Sequence, residues 1–184
     1  AYNAHDIDDG VRSGLLTLSQ LEEAPLFAQY KTFTLQQHPA LSEPTKARRL
    51  LYETIRRMLS DQVYDVIDVT RANLQKHQPK SADEARQAGP LVAFGTEMAG
   101  RVQDMKSFLF KHLYRHPQVM EMTNNAQTVV RELFDAYLSR PQEMSPDFSR
   151  REETPRAVAD YIAGMTDRYA TREHERLTGR RLFA

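Results

Sequence analysis

Apolar residues recur at spacings of three and four along nearly the whole chain, while alternating runs of Val, Ile and Thr are absent. That is the period of a helix, not of a strand. The strongest stripe follows Ser42-Glu43-Pro44, where Ala47, Leu51, Ile55, Met58, Leu59, Val63, Val66, Ile67, Thr70 and Leu74 predict one long helix and the backbone of the fold. A second helix is predicted from Thr96 to His116, stopped by Pro117, and a third from Pro117 to Ser139, ahead of Pro141. Upstream, a helix ends near Asp8-Asp9-Gly10. Ser19 then caps a short piece at Leu21-Glu22-Glu23, and Pro25 opens a stretch that Pro39 closes. Downstream, Thr154-Pro155 opens a last helix with a stripe of Val158, Tyr161, Ile162, Met165 and Tyr169, and Arg172 to Ala184 reads as a charged, fraying tail.

Two polar, broken stretches interrupt this pattern, near 78–90 and 140–153, the first with room for no more than a helical turn at Asp83 to Gln87. There is no internal repeat and no sustained heptad. The expectation is an all-α fold, an irregular multi-helix bundle forming a single domain over 1–184.

Composition narrows the function only a little. The 184 residues are 40% hydrophobic, enough for a core. The 25 basic and 25 acidic residues cancel, so no global field draws the chain to nucleic acid or to an anionic membrane. The absence of cysteine excludes disulfides and thiolate metal sites and suits a reducing cytosol, so a cytoplasmic location is expected. No apolar run approaches the roughly 20 residues needed to span a bilayer, and no membrane partner is expected. The chain opens on Ala1 inside an uncapped element, which reads as a piece of a longer protein.

Several constellations carry candidate chemistry. Tyr2 and Asp6 share a helix face, offering an aromatic surface and a hydrogen-bond acceptor that could hold a sugar hydroxyl, although a core tyrosine beside an aspartate has the same spacing. Lys106, Phe110 and Tyr114, with Lys111 and Arg115 nearby, form a basic stripe with aromatic neighbours that suits a polyphosphate or nucleotide; the same pattern arises when the aromatics face a core and the lysine snorkels past them. Asp6 to Gly10 has the wrong glycine position for a calcium loop, and its twelfth place is Thr17, not glutamate. His5-Asp6 point about 100° apart on a helix. His112 and His116 have zinc spacing but no intervening glutamate. No metal site and no catalytic residue is assigned.

The run Ala1-Tyr2-Asn3-Ala4-His5-Asp6-Ile7-Asp8-Asp9-Gly10 resembles a signature of the dGTPase-like subfamily of HD-domain deoxynucleoside triphosphate (dNTP) triphosphohydrolases. Two later segments, Met105 to Pro117 and Asp160 to Ala170, agree in order and separation, so the resemblance covers essentially the whole chain. It implies the C-terminal helical portion of such an enzyme, with the family's last metal-ligating aspartate falling just ahead of Ala1. It also implies that Tyr2 packs against the deoxyribose, that Asp6 bonds its 3′-hydroxyl, and that Lys106 and Tyr114 contact triphosphate and sugar. The family reaction cleaves a dNTP to deoxynucleoside and triphosphate using a divalent metal such as Mg or Mn, with metal-activated water attacking the α-phosphorus. The chain would then supply substrate contacts without metal ligands and be inactive alone. Homo-oligomers, and regulation by dNTPs or single-stranded nucleic acid, are further implied partners.

A different reading remains: a non-catalytic helical module for oligomerisation or nucleic-acid binding, motivated by Arg48, Arg49, Arg56 and Arg57 and the arginine-rich tail.

Overall fold

Helical periodicity becomes helix wherever an apolar face finds a partner to bury it. The computed structural model describes residues 2–183, which contain ten α-helices and no strand: α1 (Tyr2–Arg12), α2 (Leu18–Leu21), α3 (Pro25–Gln37), α4 (Ala47–His77), α5 (Ala82–Gln87), α6 (Thr96–Leu109), α7 (Pro117–Ser139), α8 (Pro146–Ser149), α9 (Thr154–Ala163) and α10 (Asp167–Thr178). Ala1, at the head of the signature run, and Ala184, at the end of the tail, lie outside the described residues. The expected all-α, multi-helix fold is observed. Its backbone falls into two compact units, residues 2–116 and 117–183.

In the first unit α1, α3, α4 and α6 pack on one another around Ile7, Phe27, Tyr30, Leu51, Met58, Met105, Phe108 and Leu109. Thr17, not Ser19, caps α2: its hydroxyl accepts from the Gln20 N–H, and the Gln20 side chain accepts from the Thr17 N–H in return. Ser19, with Glu22 three residues on, fits the same sequence pattern but lies within α2, past the position that caps it. Proline-led 3₁₀ turns at Pro39–Ser42 and Pro44–Lys46 delay the long helix to Ala47, because each ring lacks the N–H that a continuous helix would use.

The apolar stripe of α4 is buried only as far as Met58. Beyond it, Val63, Tyr64, Ile67 and Leu74 are exposed. The segment 91–95 covers one edge, where Asn73 donates to the Leu91 carbonyl and the Gly95 N–H donates to Asp65 at 2.8 Å.

The second unit buries Val129, Leu133, Tyr137, Met144 and Val158, with α9 and α10 against α7. The tail does not fray at Arg172. Instead α10 runs to Thr178, where Gly179 takes the left-handed conformation that ends it, and Leu182 and Phe183 pack against the core. His174 is fully buried with Nε2 at 2.7 Å from Glu132, whose carboxyl that histidine holds below the usual range. The single last helix expected from Thr154 is two, because Thr166 caps a new start with its hydroxyl on the Tyr169 N–H.

Candidate functional site

The first helix turns Ala4, Ile7 and Gly10 into the core of the first unit, which leaves Tyr2, Asn3 and Asp6 along its other edge. Gly10 is the point of close approach: a Cβ there would lie 2.7 Å from Leu16 Cδ1 and 3.3 Å from Leu113 Cδ1. A side chain there would press first on Leu16 and would make Leu113 give by a few tenths of an ångström, so glycine lets α1 settle near both.

Leu113 belongs to a departure from the expected helix. Instead of running unbroken to His116, the helix that begins at Thr96 ends as α-helix at Leu109 and widens into a π-turn, Phe110–Tyr114, closed by the Arg115 N–H to the Phe110 carbonyl at 3.1 Å. In a straight α-helix every four-residue step overshoots a full turn by about 40°, so Tyr114 would sit about 80° round from Lys106. A π-turn takes more residues per revolution and returns Tyr114 toward the line of Lys106 and toward α1. There its hydroxyl donates to Asp6 Oδ2 at 2.5 Å. The carboxylate accepting this bond, with some burial, pushes the Tyr114 phenol up to about 12.

The result is one open cleft of about 520 Å³ whose walls include Tyr2, Asp6, Lys106 and Tyr114, all four residues singled out from the sequence. Phe110 also lines it, with the Arg115 guanidinium 5.0 Å from its ring centroid, and so do Asn3 and Gln103. Sequence reasoning assigned nothing to those two amides. Their only signals are adjacency to Tyr2 and a position one turn ahead of Lys106. The tyrosines are not core residues: Tyr2 is 86% and Tyr114 44% exposed, so flat apolar faces meet water beside a lysine and a carboxylate. Such a cleft can stack a planar or ring-shaped group, accept a hydrogen bond from a hydroxyl, and attract a polyanion.

A divalent metal does not fit these residues. The cleft offers one carboxylate and no histidine, and among the described residues no three His, Asp or Glu side chains converge. His112 is occupied otherwise, its ring stacked on Phe108 at 4.6 Å. Three of the four arginines of the alternative reading are engaged locally. Arg48 lies 5.4 Å from the Tyr52 ring centroid and donates to its hydroxyl, Arg56 pairs with Glu53 at 2.8 Å, and Arg57 donates to Gln37. In the tail Arg176 bridges Glu143 and Glu173, and Arg180 pairs with Glu132. No helix of the described residues is long and apolar enough to cross a membrane.

Residues 92–176 match the phosphohydrolase-associated domain. The chain is similar to deoxyguanosinetriphosphate triphosphohydrolase-like proteins of Bordetella pertussis (46% identity over 96% of this chain and 46% of the relative) and Ralstonia pickettii (44% over 96% and 45%). It is likewise similar to deoxyguanosinetriphosphate triphosphohydrolase-like protein 1 of Mesorhizobium japonicum (44% over 98% and 45%). The chain thus spans about half the length of the curated relatives it matches. This identity is sustained from end to end, so the whole chain is similar to part of the deoxyguanosinetriphosphate triphosphohydrolase-like proteins.

Proposed function

We propose that this chain forms the sugar- and triphosphate-binding side of a dNTP triphosphohydrolase. In the reaction, water adds across the bond between the α-phosphorus and the 5′-oxygen, giving a deoxynucleoside with a free 5′-hydroxyl and inorganic triphosphate. The observation that supports this reading is the convergence of Tyr2, Asp6, Lys106 and Tyr114 on one cleft, although Asp6 and Tyr114 are 108 residues apart.

Each side chain has a task its chemistry can perform. The Tyr2 ring packs under the deoxyribose, where a 2′-hydroxyl would meet an apolar face and lose water without gaining a partner. Asp6 accepts from the 3′-hydroxyl. Lys106 offsets the negative charge of the polyphosphate whose α-phosphorus the water attacks, while the bond to the departing 5′-oxygen breaks. Because the residues here do not fit a metal, the divalent ion of the family reaction, Mg or Mn, would be held by the HD-domain part of the family protein that this chain does not span. The chain alone then binds and does not hydrolyse. A homo-oligomer, a cytoplasmic location, and regulation by dNTPs or single-stranded nucleic acid belong to the same reading by family resemblance.

The test is triphosphate release from a mixture of dNTPs with Mn or Mg, comparing this chain with a longer protein that carries the rest of the family length. Release by the longer protein, and its loss on Asp6→Asn, is expected. Release by the chain alone, or by neither protein, would overturn the assignment.

A further inference from the structure

Asp6 has two carboxylate oxygens and only one of them is engaged: Oδ2 accepts from the Tyr114 hydroxyl, and no other hydrogen bond to Asp6 is formed among the described residues. We infer that Tyr114 is a positioning residue, whose hydroxyl holds Oδ2 so that Oδ1 is the one acceptor presented to the ligand, and that this makes the cleft select for a free 3′-hydroxyl. The inference rests on the reading of the cleft as a dNTP site and goes beyond it by separating Tyr114 from the residues that touch the substrate.

Three features of the geometry support this. First, the partner is a neutral phenol. A lysine or arginine on Oδ2 would offset the negative charge that makes Oδ1 a strong acceptor, whereas a hydroxyl fixes the group and leaves that charge in place. Second, Asp6 is half-buried on α1, where a free carboxylate would otherwise rotate about its terminal torsion and expose either oxygen. Locking that torsion before the ligand arrives removes an entropic cost that the ligand's hydrogen bond would have to offset. Third, Tyr114 reaches Asp6 from the π-turn that continues the helix bearing Lys106. One bond therefore ties the carboxylate that meets the sugar to the element that meets the triphosphate, fixing the spacing between the two ends of the ligand.

Tyr114→Phe isolates this role because it keeps the ring and removes only the donor. The probes are dGTP and 2′,3′-dideoxyguanosine triphosphate, which differ at the 3′-hydroxyl alone, and the readout is the dissociation constant of each from nuclear magnetic resonance titration of the 184-residue chain. The wild-type chain should prefer dGTP by about tenfold, the worth of one charge-assisted hydrogen bond at a partly exposed site. In Tyr114→Phe the preference should fall several-fold toward unity while the dideoxy affinity stays unchanged, and Asp6→Asn should lower the preference likewise. An equal loss for both probes, or an unchanged preference, overturns the positioning role while the cleft assignment stands. No binding, or no preference in the wild-type chain, takes down the cleft assignment and this inference with it. Tyr114 is 44% exposed, and matching circular dichroism of the variant establishes that a change in ratio is not unfolding.

Discussion

The Tyr114 hydroxyl stands 2.5 Å from the Asp6 carboxylate, joining a π-turn to the first helix across 108 residues of chain. Neither residue is fully buried there, Tyr114 keeping 44% of its surface exposed and Asp6 being half-buried. The bond exists because Gly10 admits Leu113 against α1 and the π-turn brings the next side chain round to the carboxylate.

This bond has a signature in alkali. Ionising Tyr114 costs the hydrogen bond to Asp6, so the phenol is pushed from its ordinary 10.0 up to about 12. A folded pKa above the unfolded value means that the stabilisation is complete below pH 10.0 and is lost as pH climbs through about 12. Tyrosinate absorbance of the wild-type chain minus that of Tyr114→Phe should accordingly rise near pH 12. A difference curve centred near 10 would mean that the bond is not formed in solution.

Gly10→Ala sets two effects against each other. A helical alanine gains about 0.5–1 kcal/mol over glycine. Against this, the new methyl would stand 2.7 Å from Leu16 Cδ1 and 3.1 Å from its Cγ, in a side chain that is itself buried, and such overpacking costs about 1–3 kcal/mol. The net expectation is a loss of about 1 kcal/mol in denaturant unfolding, together with a weakened Tyr114–Asp6 bond, because Leu113 must also give way. A variant more stable than wild type would show that α1 and the π-turn are less closely fitted than described.

Lys106→Ala separates charge from sugar recognition. Inorganic triphosphate and dGTP should both bind about fivefold more weakly, the effect of removing one exposed cation from a polyphosphate site. The preference for a 3′-hydroxyl should be untouched. If triphosphate binding survives while dGTP binding falls, the lysine acts on another part of the nucleotide.

In the second unit acid should act through Glu132. His174 and Arg180 hold its carboxyl below the ordinary 4.5, so its contribution is present above that pH and lost as pH falls through the depressed value. Thermal unfolding followed from neutral to acid pH should show the wild-type chain losing its advantage over Glu132→Gln. Curves that stay parallel would mean that the buried His174 gains nothing from the carboxylate. Tyr137→Phe, by contrast, removes a 2.8 Å bond to Glu173, a carboxylate that keeps Arg176, and should cost about 1 kcal/mol at neutral pH.

Periodicity made most helices legible, because a stripe such as Leu51, Ile55 and Met58 is enough to predict a buried helix face. It could not show where cover stops. Val63, Ile67 and Leu74 continue the same stripe of α4 into solvent, since spacing records which face is apolar and not what lies against it. The tail reads as a solvated charged run because Glu173, Arg176 and Arg180 are polar, yet Arg180 and the buried His174 both pair with Glu132, and Leu177 packs against the core. The π-turn has no periodic signature, as five residues of ordinary helix-forming type fill it. Tyr2, Asp6, Lys106 and Tyr114 were named together by family resemblance. Spacing alone left each pair open to a core reading, which the exposure of both tyrosines removes.

The most direct test of the proposed nucleotide cleft is a map of backbone amide shifts in the 184-residue chain as dGTP is added. The account predicts the largest changes at Tyr2, Asp6, Lys106 and Tyr114. Changes centred on Arg48, Arg49, Arg56 and Arg57, or a spectrum that dGTP leaves unmoved, would contradict it.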